Sequence, residues 1–102
     1  MRFMLNITLP IEPFNSLVKN GTAGSTIEKI LQTIKPEAVY FTEQDGQRGA
    51  IIIVNAKDPS EIPAIAEPFF LKFDANCKIR IVMSPEELAK SGIDNLGKKW
   101  GK

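Results

Sequence analysis

Histidine is absent from the 102-residue chain, and its absence excludes the commonest acid-base chemistry near neutral pH. Histidine is the one side chain whose ordinary pKa lets it exchange protons freely at that pH. Without it, neither a Ser-His nor a Cys-His nucleophile pair is available. The single cysteine, Cys77, leaves no usual zinc set either. A magnesium or calcium site of carboxylates alone stays open, although no acidic spacing resembles an EF-hand loop. We expect no metal and no cofactor.

The sequence also has little that would direct it to a membrane, a nucleic acid or an oxidising compartment. One cysteine permits no internal disulfide, which favours a reducing compartment. No stretch approaches the roughly 20 apolar residues of a membrane helix, and the apolar start reaches Pro10 too soon for a signal peptide. Thirteen basic residues balance twelve acidic ones, whereas a nucleic-acid binder usually has a basic surplus. We expect a cytoplasmic protein that binds neither nucleic acid nor membrane.

Four stretches of the sequence have the pattern or composition of a β-strand. Apolar residues alternate from Phe3 to Leu9, and a period of two is typical of a strand. The other stretches are rich in strand-forming residues, and Asp45-Gly46 between the second and third predicts a hairpin. The predicted strands are 2–9, 38–43, 49–55 and 76–83.

Helical spacing of apolar residues occupies the segments between these strands. A short stripe predicts a helix over 12–19, and a stronger one predicts a helix that is capped by Ser25 and stopped by Pro36. A further helix begins after a cap at Asp58 or Ser60, with Ser60 favoured, and its regular part ends at Pro68. Ser84 opens a short helix as far as residue 90. We therefore predict a domain over 1–92 and a tail over 93–102.

This order of elements predicts an α+β, ferredoxin-like β-α-β-β-α-β sandwich, in which two helices cover one face of a four-stranded antiparallel sheet. The apolar set assigned to the helix side is Phe3, Leu5, Ile7, Val39, Phe41, Ile79, Ile81 and Met83. The opposite face receives Met4, Asn6, Thr8, Tyr40, Thr42, Lys78, Arg80 and Val82, and the third strand adds either Ile51 and Ile53 or Ile52 and Val54. This mixed face is too apolar to lie bare, so we predict a two-fold homodimer with sheet against sheet.

The opening residues 1–10, the helix start Asp58-Pro59-Ser60 and the closing segments Pro68-Phe69-Phe70 and Ile79-Arg80-Ile81 resemble the dimeric α+β-barrel superfamily, which includes muconolactone isomerase and small cofactor-free monooxygenases. Segment 35–49 is similar to a bacterial branch of that superfamily. The resemblance implies a dimeric barrel with a ligand pocket between the helices and the concave sheet. It carries over no catalytic residues, because the histidine that several members use is missing here.

Arg80 and Tyr40 are the main candidates for binding a ligand on the open sheet face. An arginine there could hold a carboxylate through two parallel hydrogen bonds, and the alternative is an ion pair with Glu43 or across a dimer. Tyr40 could donate a hydrogen bond or a proton, or it could simply line an interface. Asn6 and Thr8 share the face and have weaker claims.

Other features have structural interpretations beside the functional ones. Glu43 lies near Arg48 at the hairpin, where the two could transfer a proton or could be solvated turn charges. Residues 20–26 could bind an anion or merely break a helix. The phenylalanines at 69, 70 and 73 could wall a pocket or pack in the core, and Cys77 is expected to be a buried, inert thiol.

Three functions therefore remain open from the sequence. The first is a small dimeric protein that binds a small acidic or aromatic molecule at its sheet face. The second is a cofactor-independent isomerase or monooxygenase acting on a small organic acid, with Arg80 for orientation and Tyr40 or Glu43 for proton transfer. The third is a purely structural homodimer without a ligand.

Overall fold

The computed structural model describes all 102 residues, and its elements follow the predicted order with additional helices. The strands are β1 (Arg2–Leu9), β2 (Ala38–Gln44), β3 (Gln47–Asn55) and β4 (Asn76–Val82). The helices are α1 (Ile11–Lys19), α2 (Ala23–Ile34), α3 (Ile62–Phe73), α4 (Pro85–Lys90) and α5 (Ile93–Trp100), and a 3₁₀ turn at Pro59–Glu61 precedes α3.

The four strands form one antiparallel sheet in the order β2-β3-β1-β4. β2 and β3 are joined by a tight hairpin whose two central residues, Asp45 and Gly46, both have positive φ (52° and 77°). Such backbone angles suit the right-handed twist of a hairpin and favour Asp-Gly there. The α+β class, the ferredoxin-like arrangement and the hairpin are confirmed.

The alternation of β1 decides which face of the sheet is covered. Phe3, Leu5, Ile7 and Leu9 are all buried, and the residues between them are only partly so. β3 adds its even-numbered residues from Ala50 to Val54 to the same core, which resolves the choice that its apolar run had left open. The helices contribute Phe14, Ile30, Ile65, Phe69 and Phe73.

The helical layer covers the middle of the sheet and leaves parts of its two edge strands exposed. The register places Phe41 opposite Ala50 and Ile81 opposite Phe3, so both belong to the predicted helix-facing side. Nevertheless 59% of Phe41 and 60% of Ile81 are exposed. The assignment of side was correct, but the helices do not cover these two positions.

Two predicted helix caps differ from those observed. α2 begins two residues before Ser25, whose hydroxyl donates to the carbonyl of Thr22. Before α3, the side chain of Asp58 accepts from the backbone of Ser60, and Glu61 completes a capping box. Asp58 therefore occupies the position that we had favoured for Ser60, because its carboxylate reaches the free N–H groups of the following turn.

Pro68 was predicted to end the regular part of its helix, but α3 continues to Phe73. A proline removes one backbone hydrogen bond and strains the preceding turn. Phe69 and Phe73 lie beyond it and are 5% and 1% exposed. Their burial in the core holds the second half of α3 against the local preference.

Residues 93–102 were predicted to be a tail, whereas Ile93–Trp100 forms α5. We name α4 and α5 together, residues 85–100, the C-terminal arm. The main contacts of its two helices are with each other, and the molecule measures 61 × 29 × 19 Å. The short helix predicted after Ser84 is confirmed as α4, with Ser84 and Glu87 in a capping box.

Candidate functional site on the open sheet face

The face of the sheet that lacks helices presents its side chains in transverse rows, because paired residues of antiparallel strands lie side by side. The central row is Tyr40, Ile51, Asn6 and Lys78. The row toward one end is Ala38, Ile53, Met4 and Arg80, and the row toward the other end is Thr42, Gly49, Thr8 and Asn76. The odd-numbered isoleucines of β3 therefore form an apolar centre bordered by polar groups.

Asn6 lies on the central strand of this face and has an unpaired side chain. Its Oδ1 atom is buried and has no hydrogen-bond partner. A buried polar group without a partner costs free energy, so such groups in folded proteins are nearly always paired. The amide of Asn6 is thus a free hydrogen-bonding group in the middle of the open face.

Arg80 and Lys78 place two cations beside Asn6 on the edge strand β4. Lys78 is directly opposite Asn6, while Arg80 is opposite Met4 and diagonal to Asn6. The ion pairs of the chain involve Arg2 and neither of these two residues. The predicted alternative of an Arg80–Glu43 ion pair is therefore not formed within the chain, and both cations are available to an anion.

Tyr40 is on the same face but at the opposite edge of the sheet, and 65% of it is exposed. Three strand spacings of about 4.8 Å separate it from β4, or roughly 14 Å across the sheet. A small molecule held by Arg80 therefore does not reach Tyr40 of the same chain. The structure brings Asn6, Arg80 and Lys78 together and leaves Tyr40 apart.

The two remaining candidates lie away from this group. Thr8 is one row beyond Asn6, opposite Gly49 and Asn76. Glu43 lies on the helix-facing side of the sheet, as odd-numbered residues of β2 do. Its carboxylate accepts a hydrogen bond from the backbone N–H of Gly46 at 2.7 Å in the hairpin. Arg48, which we considered as its partner, instead donates to Asn15 at 2.7 Å.

Sequence reasoning missed a polar cluster at the end of the open face. Arg2 Nε donates to Glu37 Oε2 at 3.0 Å, and Arg2 Nη1 donates to Glu87 Oε1 at 2.9 Å. Asn55, opposite Arg2 in the sheet, donates to Glu37 at 3.3 Å. Arg2 is an even-numbered residue of β1, and this could have indicated that it projects on the open face. The approach of Glu37 and Glu87, however, depends on tertiary structure.

The hydrogen bond from Arg2 lowers the pKa of Glu37, and hydrogen bonds from Ser84, with a smaller effect of Arg2, lower the pKa of Glu87. A carboxyl whose pKa is depressed by folding stabilises the fold above its ordinary pKa, and this stabilisation is lost as the pH falls through the lower folded value. The link between Arg2 and α4 is therefore complete at neutral pH and weakens in acid.

The cavities of the chain lie on its helical side. One is a groove of about 650 Å³ between α2 and α3, and the other, of about 410 Å³, lies at the end of the same helices. The core side chains fill the space between helices and sheet where the resemblance implied a pocket. The open face of a single chain is a surface, so a ligand there needs a cover to be enclosed.

Cys77 packs against the core on the helix side, and burial raises the pKa of its thiol to about 11. We expect Ellman's reagent at pH 8 to react with the native chain at least about tenfold more slowly than with the urea-unfolded chain, since the thiolate is the reactive form. Equal rates in the two states would show that this strand opens freely.

Two further features of the structure concern metal-ligand clusters and helices that could span a membrane. No group of three or more Cys, Asp or Glu side chains is placed to hold a metal ion. None of the helices has both the length and the apolar character needed to span a membrane.

Comparison with known proteins gives a match in structure and none in sequence. No family model matches the chain, and no curated protein matches it. Among solved structures, it is similar to 5-chloro-2-hydroxyhydroquinone dehydrochlorinase (TftG) from Burkholderia phenoliruptrix AC1100, in its complex with 2,5-dihydroxybenzoquinone. The TM-score is 0.63 at 15% identity, over 85% of this chain and 98% of that one. The chain thus shares the α+β fold of that enzyme.

Proposed function

We propose that this chain is a homodimeric binding protein for a small acidic or aromatic molecule, held on the open face of the sheet and covered by the second copy. The observation that carries the proposal is the buried, unpaired amide of Asn6 beside the unpaired cations Lys78 and Arg80. A carboxylate would accept from Arg80, a hydroxyl would donate to Asn6, and a ring would lie over the apolar centre at Ile51 and Ile53.

The distribution of charge favours one way of pairing the two sheets. If β4 lay opposite β4 of the second copy, Lys78 and Arg80 would face their own counterparts across a low-dielectric interface, where like charges repel strongly. If β4 lay opposite β2, these cations would face the uncharged side chains of Tyr40 and Ala38, which lie in the same transverse rows as Lys78 and Arg80. A two-fold axis parallel to the strands gives the second arrangement.

This pairing would unite the two candidates that a single chain keeps apart. Tyr40 of the second copy would approach Arg80 and Asn6 of the first, and the phenol could donate to the ligand from the opposite side. Two equivalent sites would result, each enclosed by both copies. Enclosure also strengthens the arginine–carboxylate pair because it removes competing water.

The structural neighbour supports a small ring compound as the ligand class. Its solved complex holds 2,5-dihydroxybenzoquinone, a six-membered ring with polar oxygens, on a fold that matches 85% of this chain. That compound combines a flat apolar body with hydrogen-bonding groups, as the open face requires of its own ligand.

A second candidate, an enzyme without a cofactor, is favoured by the activity of the same neighbour, which is a dehydrochlorinase. Arg80 would orient a small organic acid, and Tyr40 of the second copy would move the proton. Glu43 is a weaker choice for that role because it is engaged in the hairpin on the other side of the sheet. Turnover of a bound compound that Tyr40→Phe abolishes without loss of affinity would favour the enzyme.

The proposed site is tested by a thermal-shift screen of hydroxybenzoates, hydroxyquinones and small dicarboxylates, followed by titration of the best compound. We expect Arg80→Ala to weaken binding at least tenfold, which corresponds to about 1.4 kcal/mol, and Tyr40→Phe to weaken it less. Lys19→Ala, an exposed cation on α1, is the matched control and should have no effect. Unchanged affinity in Arg80→Ala would remove the site from this face.

A further inference from the structure

We propose that the C-terminal arm is an exchange arm, which packs on a second copy of this chain at the β2 edge beside Phe41. The inference rests on the dimer of the proposed function but on no ligand. It begins with the shape of the chain. The radius of gyration is 17.3 Å, whereas a compact domain of this length has about 13 Å. The arm accounts for the difference because it extends away from the sheet.

The exposed surface area of the chain is larger than that of a folded monomer of the same mass. A folded monomer of 11.3 kDa exposes about 5,700 Å², and this chain exposes 7105 Å². The excess of roughly 1,400 Å² is more than the approximately 800 Å² that each partner buries in a stable interface. One further copy is therefore sufficient to cover it.

The excess includes an apolar stripe along the arm. Ile93, Leu96 and Trp100 are spaced as neighbours on one side of α5, and they are 51%, 47% and 75% exposed. Leu88 of α4 is also exposed. Within the single chain about half or more of each of these side chains stays exposed, and an amphipathic helix of eight residues is too short to be stable in water without packing.

The beginning of the C-terminal arm is held by a residue on the open face of the sheet. Arg2 projects on that face and binds Glu87 in the first turn of α4, while also binding Glu37. The arm therefore leaves the domain on the side where the second copy would lie. Arg2 is a positioning residue here, since it holds the first turn of α4 against the end of the sheet.

The destination follows from the pairing that the charges favour. The arm starts after Val82, at the same end of the sheet as the beginning of β2. With a two-fold axis parallel to the strands, the arm of one copy arrives at the β2 edge of the other. On the helix side of that edge Phe41 is exposed, and it is the aromatic group that would receive Leu96 and Trp100.

Trp100 is the single tryptophan of the chain, so its fluorescence reports directly on the arm. We expect the full chain to dimerise in light scattering and its emission to shift to the blue in step with dimerisation. Leu96→Glu should abolish the shift and raise the dimer dissociation constant at least tenfold. Val18→Glu, with 48% exposure on α1, is the matched control and should change neither quantity.

The docking position is tested by Phe41→Ser, which should move the Trp100 emission of the dimer to the red, while Phe70→Ser on α3 should not. The proposal that the arm packs on the second copy is refuted if the dimer forms while Trp100 keeps the emission of a solvated indole. It is also refuted if the blue shift appears only with vesicles of anionic phosphatidylglycerol. Retained ligand affinity with an undocked arm refutes this inference alone, whereas a docked arm with unaffected binding in Arg80→Ala refutes only the ligand site.

Discussion

Leu5→Ala is expected to lower the free energy of unfolding by about 2–5 kcal/mol, since Leu5 is fully buried at the centre of the sheet. The substitution removes apolar contacts and leaves a cavity that the neighbouring strands, paired at Ile52 and Ile79, cannot close. In a domain of this size, such a loss lowers the midpoint of thermal unfolding by about 10 °C or more. Urea unfolding followed by circular dichroism measures it.

The matched control is Met4→Ala, one position away on the same strand. Met4 projects on the open face and is only partly buried, so we expect a smaller loss of stability than for Leu5→Ala. A shift of register by one residue would exchange the two faces and reverse this order. Equal or reversed effects would therefore refute the assignment of faces on which the candidate site depends.

Ile51→Lys is expected to raise the dissociation constant of the dimer at least about a hundredfold, or roughly 2.7 kcal/mol. Ile51 lies between Tyr40 and Asn6 at the centre of the open face. In a sheet-against-sheet dimer, two copies of this new cation would be buried without partners, and burying an unpaired charge is strongly unfavourable. Sedimentation equilibrium would show a monomer at concentrations where the parent chain is dimeric.

Leu71→Lys serves as the control for this second experiment. Leu71 is 77% exposed on α3, on the other side of the molecule, so a cation there should leave the dimer intact. Circular dichroism must show that both variants retain the fold. A folded Ile51→Lys chain that dimerises as tightly as the parent would place the interface elsewhere and remove the cover that the proposed ligand site requires.

The candidate site was predictable in parts. Strand parity correctly placed Asn6, Tyr40 and Arg80 on one face, because successive side chains of a strand point to opposite sides. It did not indicate that Tyr40 and Arg80 lie on opposite edges, since that depends on strand order. The role of Arg2 was missed for the same reason, because its partners are distant in the sequence.

The local part of the fold follows from the residues alone: the alternation of β1, the Asp45-Gly46 hairpin and the capping box before α4. These follow from backbone sterics and from hydrogen bonds between near neighbours. Three other features depend on long-range packing: α3 continues through Pro68, Phe41 and Ile81 stay exposed, and the C-terminal arm stands away from the sheet. Each of these depends on which distant side chains pack together, and the free energy of that packing overrides local preference.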